Sequence, residues 1–361
     1  MKIVLFYHSL VSDWNHGNAH FLRGVATELI KSGHEVKVFE QEDGWSYTNL
    51  LKERGKEAIT EFKKTYPRLS ASFYKDDGDF NKDLKDADLV IVHEWNSSKL
   101  VKEIGQRKEE FGYTLFFHDT HHRSVTAEKE MNNYDLSSYD GVLAFGDTIR
   151  NIYIKKGWTN HAWTWHEAAD INLFKPPVEP ISKKGDVVWI GNWGDEERTD
   201  ELKEFLIDPV QKLGLKAKMY GVRYPKKALK LLEEAGIEYG GYVPSYKVPA
   251  VFAHYRMTVH VPRRPYTKAL PGIPTIRPFE ALACGIPLIS APWKDSENLF
   301  REGKDFKMVQ NGAEMEKWME RIIAVEEVAE DLIKNGFETV QEKHTCRHRA
   351  KELIEIYESI K

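Results

Sequence analysis

The sequence predicts a doubly wound α/β protein made of two Rossmann-like halves. Three observations carry that expectation. Short apolar runs alternate with helix-length amphipathic stretches, the pattern of βα units on a parallel sheet. The pattern halts at a proline-rich segment near the middle and then starts again. The 361 residues suit two domains at roughly 150 residues each, each large enough to bury a core without disulfides.

In the first half, Ile3 to Phe6 is a continuous apolar run, the signature of a strand covered on both faces. A polar loop follows, from His8 to Gly17 and Asn18. Phe21, Leu22, Val25, Leu29 and Ile30 then recur at helical spacing, and Gly33 ends the helix. Val36, Val38 and Phe39 resume the strand pattern. Residues 44–80 carry no clear periodicity. Leu89–Val92, Leu115–Phe117 and Gly141–Phe145 read as further strands, each followed by a polar stretch long enough for a helix.

Pro176, Pro177 and Pro180 then mark a stiff connector. The second half opens with the strand Val187–Ile190, a turn at Gly191 and a helix through Leu202, Phe205 and Leu206. Ala217–Gly221 leads into a helix over 226–235, followed by an apolar stretch Val251–Val261 and a strand Pro287–Ser290. In the closing helix Thr345 suits the N-cap, and Ala350, Leu353, Ile354 and Tyr357 fall on one face. The expected division is 1–170, 171–343 and a closing helix 344–361 that crosses back to the first domain. A cleft between the carboxyl ends of the two sheets is the expected ligand site.

Composition removes several function classes. Lys plus Arg number 52 against 56 Asp plus Glu, a net charge of −4, so no global basic field points to nucleic acid as the main partner. No apolar run approaches the ~20 residues of a membrane helix, and Ile3–Tyr7 is too short for a signal-peptide core. Two cysteines, Cys284 and Cys346, make no disulfide framework. A cytoplasmic protein, free or peripheral to a membrane, is expected. A dehydrogenase would need G-x-G-x-x-G after the first strand, and the loop His8–Asn18 holds one glycine. Aromatic residues reach 12 %; Trp14, Trp45 and Trp95 fall in predicted loops, where they either pack or offer flat faces to a sugar.

The most informative stretch runs from Thr275 to Ser290. Pro278 suits the first helical position and Gly285 the left-handed stop just past the end. Glu280 is then expected in the first turn, beside backbone N–H groups without internal partners. A helix N-terminus favours anions. A carboxylate there can accept the two hydroxyl hydrogens of a diol while phosphate oxygens meet the N–H groups, as a sugar nucleotide requires. Glu280 could equally serve only its own helix through the dipole, worth up to about 1 kcal/mol.

The run Phe279-Glu280-Ala281-Leu282-Ala283-Cys284-Gly285-Ile286-Pro287-Leu288-Ile289-Ser290 resembles the nucleotide-sugar signature of GT-B glycosyltransferases, particularly glycosyltransferase family 4 and the CgeB-type group. Asp170–Pro176 resembles the interdomain segment of those families, and Asn15–Asn18 the loop facing the cleft. Ser32–Val36 is similar to the lead-in to their second strand, and His344–Ala350 to the start of their closing helix. The resemblance implies a GT-B fold in which Glu280 binds the ribose hydroxyls. It departs at Ile273, where family 4 carries a second Glu that contacts the donor sugar. Arg277 before Phe279-Glu280 is similar to the CgeB-type pattern, so neither donor sugar nor stereochemistry carries over from family 4.

A metal-free sugar transfer must meet the charge growing on the diphosphate with cations and N–H dipoles. Arg198, after Gly191-Asn192-Trp193-Gly194, is similar to the Arg following a Gly-Asn turn in the CgeB-type group. Its fork of donors suits a diphosphate; an exposed Arg in a charge-rich run is the plain alternative. Arg263, Arg264 and Lys268 form a basic loop before the Glu280 helix. Gly241-Tyr242-Val243-Pro244 resembles the segment lining the nucleotide base, where Tyr242 stacks or packs. With Gly17, Asn18 and Asn192 these complete the expected donor site.

His118-Asp119-Thr120-His121-His122 ends the strand Leu115–Phe117. Three His and one Asp raise a metal site, but residues so close in a tight loop cannot all reach one ion, and no metal is expected. The resemblance implies that His118 and Asp119 face the cleft, and a neutral imidazole can take a proton from an acceptor hydroxyl. Glu94, also at a strand end, competes for that role. The function expected is therefore transfer from a UDP- or GDP-sugar to a carbohydrate, lipid-linked or other hydroxyl acceptor, with no cofactor beyond the donor. A nucleotide-sugar epimerase of the same fold and a glycosyltransferase acting on modified DNA are the alternatives.

Overall fold

The computed structural model describes residues 1–75 and 78–361. The chain forms two compact units, Met1–Glu167 with Cys346–Lys361, and Ala168–Thr345.

The first unit is built on seven parallel strands: β1 (Lys2–Phe6), β2 (Glu35–Gln41), β3 (Ala71–Tyr74), β4 (Leu89–His93), β5 (Thr114–Asp119), β6 (Gly141–Ala144) and β7 (Ala162–Thr164). Their order is β3-β2-β1-β4-β5-β6-β7. β1 pairs β2 on one side and β4 on the other, so the order reverses there, and the carboxyl ends of β1 and β4 flank the place where such sheets bind ligands. Ile3–Tyr7 and Leu89–Val92 are fully buried, which is why they read as unbroken apolar runs. The Ala19–Lys31 helix buries Phe21, Leu22, Val25 and Leu29. The closing helix Cys346–Ser359 packs on it, with Cys346 Sγ 3.9 Å from the Phe21 carbonyl and Arg349 O accepting from Trp165 Nε1 at 2.9 Å.

Residues 44–75, which carry no periodic signal, hold two helices, Trp45–Arg54 and Glu57–Thr65, and then β3. The first helix buries Tyr47 and Leu50 beside Ser46, the second only Ala58 and Phe62. Two apolar anchors per helix are too few to make a stripe.

The second unit has six parallel strands: β8 (Gly185–Ile190), β9 (Ala217–Tyr220), β10 (Glu238–Tyr239), β11 (Tyr255–His260), β12 (Leu288–Ser290) and β13 (Lys307–Met308), in the order β10-β9-β8-β11-β12-β13. The reversal lies between β8 and β11. Its core joins Trp189, Trp193, Phe205, Leu206, Met257 and Met315, among others. The apolar stretch 251–261 is not one element: a Val248–Ala253 helix ends at His254 before β11 begins. The Glu280 helix also starts earlier than expected, at Ile276. Pro278 is therefore its third residue, still among the first four N–H positions that lack intrahelical partners, so no hydrogen bond is lost. Glu280 is the fifth residue and lies in the second turn, not the first. Gly285 takes φ +63° just past the end, as its position predicts. Among the described residues no helix is long and apolar enough to cross a membrane.

Candidate functional site

The second unit gathers cations at the carboxyl ends of β8 and β11. The turn after β8 folds back on Arg198: a side chain at Gly194, which takes φ +94°, would press on Arg198 Nε at 3.0 Å. Gly221, after β9, approaches Gly191 so closely that a Cβ would sit 1.8 Å from its carbonyl oxygen. The half-buried Arg198 guanidinium lies over the Trp189 ring, 4.9 Å from its centre. It donates to Val261 O at 2.8 Å, to Asn192 O at 2.7 Å and to Asn192 Oδ1 at 3.3 Å. All are neutral acceptors, and Nε has no partner among the described residues. Desolvation, then the charges of Arg263 and Arg277, push its pKa down to about 9, so it stays charged at neutral pH.

Arg263 donates to Asn192 Oδ1 at 2.7 Å and pairs with Glu197 at 3.2 Å. Arg264 is occupied by acids and carbonyls: Glu196 O, Glu197 O, Asp200 at 3.6 Å and Glu201 at 3.7 Å. Lys268 is exposed at the end of the short Arg264–Lys268 helix. The expected basic loop is thus three differently placed groups, of which Arg263 shares Asn192 with Arg198. Tyr242 is half-buried beside Gly241, whose carbonyl accepts from Gly221 N at 2.8 Å.

Glu280 is 1 % exposed and its Oε2 accepts from Arg277 one turn earlier. The helix is entered through Thr275 at φ +61°, ψ 179°, a region nearly reserved for glycine and worth about 1–3 kcal/mol of strain. His260, at the end of β11, is buried, with Nδ1 2.9 Å from Ser290 Oγ. Burial, then the charges of Arg198 and Arg277, hold its pKa down at about 3. The arginines are thus felt by a neighbour kept neutral.

In the first unit the carboxyl ends of β1, β4 and β5 carry a histidine and carboxylate cluster. His8 Nδ1 lies 3.1 Å from His93 Nδ1, and His93 Nε2 lies 3.0 Å from Thr120 Oγ1. Asn18 closes the chain by donating to Thr120 Oγ1 at 2.5 Å, rather than capping the helix it precedes. Gly17 is exposed. The His16 ring packs against His8, centres 4.0 Å apart. Burial drives the pKa values of His8 and His93 well below the ordinary imidazole value and that of His16 to about 4, so all three are neutral at pH 7.

Glu94 and Arg123 form a buried pair, Oε2 accepting from Nε at 2.9 Å and Nη2 at 2.6 Å. Burial and then the Asp119 charge raise the Glu94 pKa against the pull of Arg123. Asp119 accepts from His121 N at 2.9 Å and Tyr153 Oη at 2.7 Å, and burial raises its pKa too. His118 packs on Trp165, ring centres 4.8 Å apart, with neither ring nitrogen hydrogen-bonded to a described residue. Glu94, Asp119 and His118 are each 0 % exposed, whereas His8, His16 and His121 reach the surface. Among the described residues no three His, Cys, Asp or Glu side chains are placed to hold a metal ion.

Sequence reasoning missed the clamp on the loop after β1. Buried Glu40 accepts from Leu10 N, Val11 N and Ser12 N at 3.0, 2.8 and 3.4 Å, while buried Arg23 donates to Leu10 O at 2.6 Å, Val11 O at 2.9 Å and Asp13 at 2.8 Å. The available signal was a charge set directly against core positions in each of two elements, Glu40 after Val38-Phe39 in β2 and Arg23 between Leu22 and Val25 in the first helix.

A family model described as "Glycosyl transferase-like" matches residues 198–355, a span that begins at Arg198 and contains Arg263, Arg277 and Glu280. No curated protein sequence matches the chain. Sucrose-phosphate synthase from Thermosynechococcus elongatus is 15 % identical, covering 99 % of this chain and 98 % of that one with a TM-score of 0.66. Anabaena HepE, solved with UDP and glucose, is 14 % identical over 99 % of this chain and 100 % of that one, TM-score 0.68. An alpha-glucosyltransferase solved with UDP and a 13-mer DNA containing a HMU base is 13 % identical over 98 % of both chains, TM-score 0.70. These are GT-B proteins, and the fold of this chain is GT-B.

Proposed function

We propose that this chain is a hexosyl-type glycosyltransferase that moves a sugar from a nucleoside-diphosphate sugar, UDP- or GDP-linked, to an acceptor hydroxyl without a metal ion. The observation that carries the reading is Arg198. Its guanidinium is half-buried, held rigidly by carbonyls and stacked on Trp189, and meets no carboxylate among the described residues. An arginine so held costs desolvation that a bound anion repays, and a diphosphate leaving group is such an anion. Arg263 supplies a second cation on the same Asn192 side chain, and the entrance of the Ile276–Ala283 helix, which Thr275 does not cap with its side chain, supplies N–H groups without intrahelical partners. Glu280, one oxygen held by Arg277, is the acceptor for ribose hydroxyls. Tyr242 and Asn192 are read as further donor contacts.

On the acceptor side, the neutral His8 imidazole, half-buried with Nδ1 3.1 Å from His93 Nδ1 and Nε2 3.0 Å from Ser9 Oγ, is read as the group that takes a proton from a hydroxyl, which would replace Ser9 at Nε2. Glu94, Asp119 and His118 form its buried setting, and Asn18 fixes the Thr120 end of its hydrogen-bond chain. Trp45, which the structure puts at the start of the Trp45–Arg54 helix rather than in a loop, and Trp95, in the turn after β4, stand exposed, flat faces suited to a carbohydrate acceptor.

Thermal-shift measurement with UDP, GDP, ADP, TDP and their sugars tests the reading. A true ligand raises stability by about 2.7 kcal/mol at a hundredfold excess over its dissociation constant; silence across the panel rejects it. Full turnover in excess EDTA is expected, and abolition rescued by a divalent ion would overturn the metal-free step. Product analysis separates transfer from epimerisation at the same donor site. Modified DNA as acceptor is the second reading, favoured by likeness to the DNA-bound alpha-glucosyltransferase. The net charge of −4 offers a phosphate backbone no general attraction, so salt-sensitive duplex binding is the result that would promote it.

A further inference from the structure

Whether His8 can take a proton depends on which of its ring nitrogens is bare. A neutral imidazole carries one N–H and one lone pair, and the hydrogen bonds around it decide which nitrogen has which. Burial above all keeps both His8 and His93 neutral. The two rings meet through their Nδ1 atoms at 3.1 Å, so one Nδ1 carries the proton and the other accepts it.

The backbone settles which. In the turn after β4 the Trp95 N–H donates to His93 Nδ1 at 3.3 Å. A backbone N–H is a donor and nothing else, so His93 Nδ1 is the acceptor and the His93 proton sits on Nε2. There it faces Thr120 Oγ1 at 3.0 Å. Asn18 Nδ2, 3.5 Å from the same Nε2, gives its hydrogen to that hydroxyl oxygen as well, at 2.5 Å. His8 Nδ1 is then the donor of the pair, and His8 Nε2 keeps its lone pair. Ser9 Oγ, 3.0 Å away, donates to that lone pair and marks the place an acceptor hydroxyl would take. The turn that holds this geometry is itself pinned: Asn96 Nδ2 donates to Phe6 O at 2.8 Å and to His93 O at 2.9 Å, tying the ends of β1 and β4 together.

We propose that His93 is the positioning residue of the proton-transfer step, fixing His8 in the tautomer whose Nδ1 is protonated and whose Nε2 is free. The inference rests on the transferase reading given above. His93 is 0 % exposed, so it meets no substrate and acts through His8, which reaches the surface. As the acceptor oxygen bonds to the anomeric carbon of the sugar, the bond from that carbon to the diphosphate breaks. Its electron pair leaves with the diphosphate, and the acceptor's proton passes to His8 Nε2. The imidazolium so formed keeps its Nδ1–H on the His93 lone pair. In the other tautomer His8 would turn an N–H toward the acceptor and could take nothing from it; in hydrolytic triads the wrong tautomer costs about 10⁴ in kcat.

The test reads the tautomers directly. Long-range proton–nitrogen correlation NMR on the full chain, with the two rings assigned by His8→Gln and His93→Asn, should find the His8 proton on Nδ1 and the His93 proton on Nε2. Turnover is followed as release of UDP or GDP from UDP-glucose, UDP-galactose, UDP-N-acetylglucosamine and GDP-mannose, with water and methyl glucoside as acceptors. His93→Leu, which removes the acceptor at Nδ1, should cut kcat about 100-fold while the KM for the donor stays within about twofold. In that variant the His8 proton should move toward Nε2. His93→Asn, whose amide oxygen replaces Nδ1 as acceptor, should return kcat to within about tenfold of the parent. His8→Gln should lose at least as much as His93→Leu, and the double variant no more than His8→Gln alone. A parent His8 with its proton on Nε2 overturns the proposal and leaves the transferase reading standing, and this result needs no folded His93→Leu. Parental kcat in His93→Leu, or His93→Asn as slow as His93→Leu, overturns the positioning role in the same way. Nucleotide release from none of the donors overturns the transferase reading, and the role of His93 with it.

Discussion

At the carboxyl end of the first sheet, two buried carboxylates, Glu94 and Asp119, stand near a single guanidinium, Arg123. At the carboxyl end of the second, Arg198, Arg263 and Arg277 meet the carboxylates of Glu197 and Glu280, and Arg198 is left over. The two imbalances resolve differently because the groups differ. A surplus carboxyl in a low-dielectric setting relieves itself by keeping its proton, so the first edge turns neutral, like the imidazoles beside it. A guanidinium cannot shed its proton near neutral pH, so the second edge stays cationic and is relieved only by an anion from outside. One edge is thus suited to uncharged hydroxyls and the other to a diphosphate.

The sharpest way to break the comparison is Arg198→Ala, which should weaken nucleoside-diphosphate binding by up to about 3 kcal/mol, roughly 150-fold, in calorimetry. Arg198→Lys should recover only part of this, because a point charge lacks the fork of donors. Unaltered affinity would remove the reason to treat the two edges differently. Glu280→Ala should follow, with a loss of roughly 1.5–2 kcal/mol if it accepts charge-assisted bonds from ribose; a 2′-deoxy nucleotide should show a smaller difference between parent and variant.

The first edge is tested by pH. Burial raises the folded pKa values of Glu94 and Asp119, and that of Glu40 to about 7. The folded state then binds more protons than the unfolded state above the ordinary carboxylate range, so stability falls as pH rises through the raised values. The depressed histidines act oppositely, losing stability as pH falls below about 6.5. Above that value they are neutral in both states, leaving the carboxyls alone. The melting temperature should therefore decline from pH 6.5 to 8, and Glu94→Gln should flatten the decline by about 2–4 °C. A flat parent curve would mean that these groups stay ionised in the folded state, as they are in the unfolded one. The smallest effect belongs to Lys268, exposed beyond the cluster: Lys268→Ala should change nucleotide affinity by under about 0.5 kcal/mol.

Much of the scaffold was legible because a parallel strand covered on both faces must be apolar throughout; Ile3–Phe6, Leu89–Val92 and Val187–Ile190 declared themselves for that reason. Gly285 marked a helix end because only a residue without Cβ turns left-handed freely. The start of that helix was misread, since Pro278 fits any of the first three positions, and the error moved Glu280 by two positions, from the first turn to the second. His8 and His93 escaped notice as isolated histidines 85 positions apart in sequence, joined only when β1 and β4 pair. His118 looked accessible at a strand end, yet Phe21 and Trp165, far away in the chain, cover it.

The sequence by itself determined the alternation of strands and helices, the two-part division and the segment around Glu280, all of which depend on neighbours within a few positions. Which charges are paired was decided by tertiary structure alone. Arg198 sits in an acid-rich stretch and Arg264 in a basic one, yet it is Arg264 that the acids of the Arg198 stretch surround, while Arg198 is turned toward Trp189, Asn192 and Val261. The energy of a charge depends on what lies within a few ångströms and on how much water remains there, and the fold alone sets both.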